Sequence, residues 1–142
     1  MNKIIGYTTG VFDMFHIGHL NILKSAKEQC DYLIVGVSTD ELVESYKQKK
    51  PIIPFSERKV IVESIEYVDE VLPQISRDKL AAFREIKFDI MFVGDDWKGS
   101  DIFVETEREL NRCGAKLHFF PYTTGTSSTE LRKLIKKEIN RD

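Results

Sequence analysis

The chain has 142 residues, of which 42% are hydrophobic and 31% charged, and its 21 Lys and Arg against 23 Asp and Glu give a formal net charge of -2. This balance is ordinary for a globular protein and argues against a general nucleic-acid binder, and no apolar run approaches the ~18 residues of a membrane span. Two cysteines, Cys30 and Cys113, are too few for a disulfide framework, so we expect a reduced, cytoplasmic protein with a single domain over residues 1–142.

Strand-like and helix-like segments alternate along the chain. Short apolar runs predict five strands, over residues 4–9, 31–37, 68–72, 88–93 and 117–120. Amphipathic or capped segments predict helices over residues 20–27, 56–65, 76–86, 102–113 and 127–139. Pro73 is expected to end the third strand, and Gly114 is expected to end the fourth helix. In the second helix, Val60, Ile61 and Ile65 are expected on one apolar side. The charged segment 41–54 contains two prolines and is interpreted as a loop.

This alternation predicts an α/β fold, a doubly wound parallel sheet with helices on both faces. Such sheets bind ligands beyond the carboxyl ends of their strands. The polar blocks that follow strands are residues 10–19, 38–50, 94–99 and 121–129, and we expect them to meet at one edge. The sequence has no Gly-x-Gly-x-x-Gly and no Walker-type Gly-Lys-Ser/Thr, which argues against a dinucleotide oxidoreductase and a P-loop NTPase.

The first polar block contains two histidines where the first helix begins. His16 and His19 are three residues apart and so share a helix face. Gly18 between them has no Cβ, and the helix N-terminus offers N–H groups and a partial positive charge to an anion. The pattern indicates a site that handles phosphate. A metal pair and a purely structural pair are the alternatives, although the third histidine, His118, belongs to a different predicted strand.

The other blocks carry further candidates, each with a simpler explanation. Lys47 and Lys49 form either a mobile arm that closes on phosphate or a solvated basic loop. Adjacent Asp95 and Asp96 suit ribose hydroxyls or Mg²⁺, or an ordinary polar turn, and Trp97 suits stacking on a base or covering the loop.

Two more candidates stand where a helix begins. The hydroxyl-rich segment 126–129 precedes the last helix and suits phosphate, while Ser127-x-x-Glu130 also fits a capping box. Arg58, in the first turn of its helix, is by default a surface arginine.

Five segments in order resemble one known family. Residues 10–19 read Gly-x-Phe-Asp-x-x-His-x-Gly-His, and residues 31–41, 57–59, 67–71 and 94–97 match further family segments. The chain is therefore similar to the cytidylyltransferases of the HxGH nucleotidyltransferase superfamily, most of all to those acting on glycerol 3-phosphate. The resemblance covers nearly the whole chain and implies a Rossmann-like fold.

The resemblance also implies an activity. It implies transfer of CMP from CTP to a small phosphorylated alcohol, most simply glycerol 3-phosphate, with release of pyrophosphate. The product would be CDP-glycerol, a precursor of teichoic acid or another cell-surface polysaccharide. Mg²⁺ is the implied cofactor, and a homodimer is the implied assembly. An adenylyltransferase that uses ATP and a nucleotide-binding protein with little turnover are the alternatives.

Site residues follow from the matched positions. The implied catalytic residues are Asp13, His16, His19 and Lys49, and the implied acceptor-phosphate residue is Arg58. The implied nucleotide-binding residues are Thr9, Gly10, Val11, Phe12, Gly18, Lys47, Asp95, Asp96, Trp97, Thr123, Gly125, Ser127, Ser128 and Thr129. No residue is assigned to a metal. The loop has one extra residue relative to the family, so Lys47 and Lys49 compete for the position of the closing lysine.

The chain departs from the family at two positions. Tyr122 and Glu66 stand where the family has arginine. Arginine offers a fixed bidentate fork to phosphate, which neither replacement can reproduce. Lys98 and Arg132 are the nearest cations in sequence that could compensate.

Overall fold

The computed structural model of the chain describes residues 3–94, 99–120 and 128–139. Five strands and six helices alternate in this part of the chain. The strands are β1 Ile5–Gly10, β2 Tyr32–Ser38, β3 Glu70–Gln74, β4 Ile90–Gly94 and β5 Lys116–Phe120. The helices are α1 Ile17–Glu28, α2 Asp40–Lys47, α3 Phe55–Glu63, α4 Lys79–Ile86, α5 Asp101–Arg112 and α6 Ser128–Ile139. None of these helices has the length and hydropathy needed to cross a membrane.

The five strands form one parallel sheet in the order β3-β2-β1-β4-β5. Successive strand residues point to opposite faces, so neighbouring positions enter different cores. Val35 packs with Leu23 of α1 and Val62 of α3 on one face. Ile34 packs with Leu110 of α5 on the other. The predicted doubly wound sheet with helices on both faces is therefore confirmed. Its strand order reverses beside β1, the place where such sheets bind ligands.

Three aspartates align the starts of neighbouring strands at the amino edge of the sheet. Asp31, Asp69 and Asp89 each stand just before a strand, and each carboxylate accepts a backbone N–H at the start of a neighbouring strand. The three donors are Ile4, Leu33 and Ile5, each at 2.8 Å. The backbone N–H of each aspartate in turn donates to the backbone carbonyl of the residue whose N–H its carboxylate accepts. These reciprocal pairs fix the register, so the carboxyl ends of the strands arrive together.

The prediction of a loop over residues 41–54 is wrong for its first half. Residues 40–47 form α2, which Thr39 caps by accepting the N–H of Leu42 at 3.1 Å. This helix buries only Val43, so its sequence shows little apolar periodicity. It ends at Gln48, which adopts a left-handed conformation.

Three smaller expectations also needed correction. Strand β3 continues through Pro73, because β3 lies at the sheet edge, where the missing N–H costs no ladder bond. Helix α4 begins at Lys79 rather than residue 76, since Asp78 caps it. Val60 and Ile61 on α3 are 59% and 40% exposed, whereas Ile65, the third residue of the expected apolar side, packs against the core just beyond the end of the helix. The stop at Gly114 is confirmed by its φ of +90°.

Candidate active site

The loop between β1 and α1 is held in an unusual backbone conformation. Phe12 and Met14 have φ values of 53° and 50°, in the left-handed region that costs a non-glycine residue about 1–2 kcal/mol. The ring of Phe12 is buried in the core at 5% exposure, and Asp13 between them is 2% exposed. Burial of these side chains therefore holds the loop in place. Because the ring of Phe12 is buried, only its backbone can make the predicted contact with a nucleotide.

The two histidines form a capping box at the start of α1. Nδ1 of His16 accepts the N–H of Gly18 at 3.0 Å, and Nδ1 of His19 accepts the N–H of His16 at 3.2 Å. An accepting Nδ1 carries no proton, so each neutral ring has its proton on Nε2. The rings stack with centroids 3.9 Å apart, which confirms that they share a face. The N–H of Gly18 donates to His16, and the close approach of a ligand to the backbone of this glycine, which has no Cβ, stays a prediction.

Both imidazoles are neutral near pH 7. The pKa of His19 is lowered to about 4, first by burial and then by the neighbouring His16, while Asp13 opposes the shift. Burial also lowers the pKa of His16. The pair therefore offers two neutral N–H donors rather than two cations. Neutral donors aimed at phosphate oxygens stabilise charge that develops during transfer.

Asp13 lies beneath this loop and is bonded on several sides. Its two oxygens accept the backbone N–H groups of Ile52 and Ile53, each at 2.8 Å. The same carboxylate forms an ion pair with Arg132 of α6. Because the group is buried and engaged in this way, its position favours a structural role over the predicted catalytic one.

Arg58 is fully buried, which corrects both expectations for it. Its side chain is 0% exposed and is not a surface arginine. Nη1 donates to the carbonyls of Val11 and Ser38 at 2.7 and 2.8 Å. Nε donates to the carbonyl of Ile53 at 2.8 Å, and Nη2 bonds Asp40 at 2.6 Å. Since these bonds occupy the guanidinium, the predicted contact with an acceptor phosphate is not available in this structure. Arg58 instead ties together the loops at the carboxyl edge.

Four cations gather around the carboxyl edge. Partial burial lowers the pKa of Lys47, and the nearby charges of Arg132, Lys49 and Arg77 lower it further, while Asp13 raises it. Lys47 therefore lies within the electrostatic influence of Lys49, Arg132 and Arg77, with the Asp13 carboxylate opposing them. Like charges held this close are unfavourable alone and are relieved by a polyanion, so the cluster is suited to a polyphosphate.

Arg77 is the site residue that the sequence interpretation missed. It lies three residues after β3, and its guanidinium stands 4.3 Å above the ring of Tyr46. The available signal was the end of β3, because residues that follow a parallel strand lie at the binding edge. Because the sequence predicted α4 from residue 76, Arg77 was assigned to the helix rather than to the loop at the binding edge.

A cavity of about 170 Å³ opens beside β1 at the same edge. The predicted residues Thr9, Gly10 and Val11 line one side of it. Its polar and charged lining includes Ser38, Tyr46, Gln74, Ser76, Arg77, Asp78 and Lys79, and the Asp78 carboxylate accepts the N–H groups of Leu80 and Ala81 at the start of α4. Burial and the neighbouring Arg77 lower the pKa of Lys79, in keeping with its sheltered position. The cavity can hold a small, polar, anionic molecule.

Several predicted residues lie outside the described part of the chain. These are Asp95, Asp96, Trp97, Thr123, Gly125 and Ser127, so their roles stay predictions. Ser128 and Thr129 fall in the first turn of α6. Within residues 3–94, 99–120 and 128–139 there is no group of three His, Cys, Asp or Glu able to hold a metal ion. Glu66 is exposed in the turn before β3, at the amino edge, and so lies away from this site.

Comparison with known proteins agrees with this geometry. Residues 7–134 match the family described as cytidylyltransferase-like. The chain is 40% identical to glycerol-3-phosphate cytidylyltransferase of Bacillus spizizenii over 94% of this chain and 96% of that one. The Staphylococcus aureus enzyme of the same name is 34% identical over 94% of both chains.

Solved structures also resemble this one. A lipopolysaccharide core biosynthesis protein from Thermoplasma volcanium superposes with a TM-score of 0.72 at 27% identity, over 88% of this chain and all of that one. Pantoate-beta-alanine ligase from Francisella tularensis, at 16% identity and a TM-score of 0.65 over 99% of this chain and 72% of that one, shares the fold alone.

Proposed function

The chain belongs to the cytidylyltransferase-like family, and from this premise we propose that it transfers CMP from CTP to glycerol 3-phosphate, giving CDP-glycerol and pyrophosphate. The observation that carries the proposal is the pair of stacked neutral imidazoles beside a cluster of cations. Relatives that share 34–40% identity over at least 94% of this chain are glycerol-3-phosphate cytidylyltransferases, which supports the choice of substrates.

The reaction needs positioning and charge stabilisation rather than a covalent intermediate. An oxygen of the acceptor phosphate attacks the α-phosphorus of CTP, and the bond from that phosphorus to the bridging oxygen of the β-phosphate breaks. Pyrophosphate leaves with the bonding electrons, so no proton transfer is required. Nε2–H of His16 and of His19 would donate to oxygens of the α- and β-phosphates as charge shifts toward the leaving group. Lys47 and Lys49 would hold the β- and γ-phosphates.

The cavity beside β1 suits the acceptor. Arg77 and Lys79 supply positive charge for its phosphate, and Ser38 and Gln74 supply hydrogen-bonding groups for its hydroxyls. In this position the acceptor would lie next to Thr9–Val11, and the loop between β1 and α1 would connect this side of the cavity to the histidines. Positioning two reactants in this way accounts for much of the rate of such a transfer.

Mg²⁺ is part of the proposal as a cofactor that arrives with the triphosphate. Mg²⁺ in nucleotide sites is commonly bound through one or two carboxylates together with substrate phosphates. Asp95 and Asp96 are the candidate carboxylates from the sequence. When bound, the ion would neutralise part of the charge on the phosphates.

A cytoplasmic homodimer completes the proposal. Exposed apolar side chains on α3 and α6 support association, namely Val60, Ile61, Leu134, Ile135 and Ile139. Light scattering that gives the 16.5 kDa mass of one chain would reject the dimer.

Release of pyrophosphate is the direct test of the activity. CTP and ATP are each combined with Mg²⁺ and a panel of phosphorylated polyols and amino alcohols. We expect the highest kcat/KM for CTP with glycerol 3-phosphate. Preference for ATP would identify an adenylyltransferase, a different best acceptor would correct the substrate, and tight CTP binding without turnover for any acceptor would contradict the enzyme.

A further inference from the structure

We propose that Asp13 is a positioning residue that joins the three phosphate-facing parts of the site, an inference that rests on the proposed function. Its own loop leads to His16 and His19. Its two oxygens bind the segment that follows Lys47 and Lys49, and its ion pair with Arg132 binds the start of α6. One carboxylate of 2% exposure therefore contacts every element on which the polyphosphate would rest.

The bonds to Ile52 and Ile53 set where the lysines stand. Each carboxylate oxygen accepts one N–H at 2.8 Å, which fixes two successive peptide groups. Lys49 is only three residues before the first of these amides. The segment that contains Lys49 runs from Gln48 to Ile52, and Gln48, in a left-handed conformation, is where α2 ends. Asp13 thus anchors the short basic segment at the end opposite to its helix.

The ion pair sets where α6 stands. Leu134, Ile135 and Ile139 are 58%, 47% and 72% exposed, so these apolar side chains contribute little packing to hold the helix. Arg132 is 20% exposed and reaches the buried carboxylate of Asp13. Ser128 and Thr129, two of the residues predicted to bind phosphate, lie in the first turn of this helix, so the placement of that turn depends on the same carboxylate.

Only an ionised carboxylate can make both sets of contacts, the two bonds from backbone N–H groups and the ion pair with Arg132. It offers about four acceptor sites on two oxygens and a full negative charge for the guanidinium. An asparagine of the same shape keeps one acceptor oxygen, replaces the other with a donor and loses the charge. Asp13→Asn should therefore loosen the lysine segment and α6 while keeping the volume of the side chain.

Asp13→Asn is compared with Asp89→Asn, a matched control. The Asp89 carboxylate also accepts a backbone N–H at 2.8 Å, from Ile5, but lies at the amino edge. In Asp13→Asn we expect faster amide exchange at residues 52 and 53, with unchanged exchange in β4. We expect affinity for CTP and for pyrophosphate to fall about tenfold or more, since charge-assisted bonds are disturbed, and affinity for CMP to stay as in wild type. The expected fall in kcat/KM is about 10²-fold, typical of misplaced catalytic groups. Asp89→Asn should leave all these ligand readouts unchanged.

Each outcome decides the proposal. Unchanged exchange at residues 52 and 53, or equal losses for CTP and CMP, would overturn it. If Asp13→Asn does not fold, Arg132→Gln removes the ion pair, and unaltered amide exchange in α6 would then overturn the proposal. The exchange and binding measurements need no turnover, so a wild-type protein that binds CTP but never releases pyrophosphate would contradict the proposed function and leave this inference standing.

Discussion

Replacement of His16 can separate its structural role from its chemical one. Nδ1 of His16 caps α1 by accepting the N–H of Gly18, while Nε2 carries the proton that we assign to a phosphate oxygen. Asparagine places an acceptor close to the position of Nδ1 and has nothing at Nε2. His16→Asn therefore keeps the cap and removes only the donor. His16→Ala removes both.

The magnitudes follow from these two losses. Removing one donor to a developing oxyanion lowers kcat by about 10²–10³-fold, or about 2.7–4 kcal/mol. Loss of the cap in the alanine variant adds about 1 kcal/mol of destabilisation, whereas asparagine is itself among the best N-caps. Both variants should thus lose activity to a similar extent, and only the alanine variant should unfold at a lower urea concentration.

Pyrophosphate release with CTP and glycerol 3-phosphate measures the activity, and urea denaturation measures the stability. The neighbouring Ile17→Val, at a side chain that is 52% exposed, is the control for changes in this turn. If His16→Asn turns over within a few-fold of wild type, Nε2 is not a catalytic donor. If the asparagine and alanine variants are equally destabilised, the capping contact has been misread.

Three further predictions concern pH, the buried arginine and the basic segment. The pKa of His19 is lowered from 6.5 to about 4 in the folded chain. The unfolded chain therefore takes up this proton more readily, and the free energy of unfolding should decline as pH falls from about 6.5 toward 4. A melting temperature of the wild type that stays level over this range would contradict the prediction. Arg58→Met should lower the free energy of unfolding by about 3 kcal/mol or more, because buried carbonyls lose their partners, and a change under about 1 kcal/mol in urea denaturation would refute this. Binding of CTP should slow amide exchange at residues 48–50 while α2 changes little, and equal exchange with and without CTP would remove the closing-arm hypothesis.

Much of the fold could be predicted because its strands are nearly continuous apolar runs. A run such as residues 31–37, buried on both faces, leaves few alternatives to a central parallel strand. Helix α2 could not be recognised in the same way, because a helix with one buried side chain has no apolar stripe to detect. Its cap at Thr39 and the acidic residues of its first turn were the remaining signals.

The site was predictable where chemistry is encoded locally and not where it depends on distant contacts. The spacing of His16 and His19 specifies a shared helix face, and their rings do stack. The partners of Arg58 and Asp13 are 39 or more residues away in several cases, so no local pattern could have shown that both are buried. Arg77 was missed for the related reason that its role depends on where a strand ends.

The three aspartates at the amino edge lie far from the cations of the site. Asp31, Asp69 and Asp89 lie at one end of the strands, and the cations led by Lys47 and Arg77 lie at the other. Six residues of β1 separate the two ends by roughly 20 Å, more than twice the Debye length of about 8 Å at physiological ionic strength. Solvent ions therefore screen an approaching triphosphate from the aspartates, and it meets an attractive potential although the formal charge of the chain is -2. Electrostatic steering of such a ligand depends on the local field at the mouth of the site rather than on the sign of the whole protein.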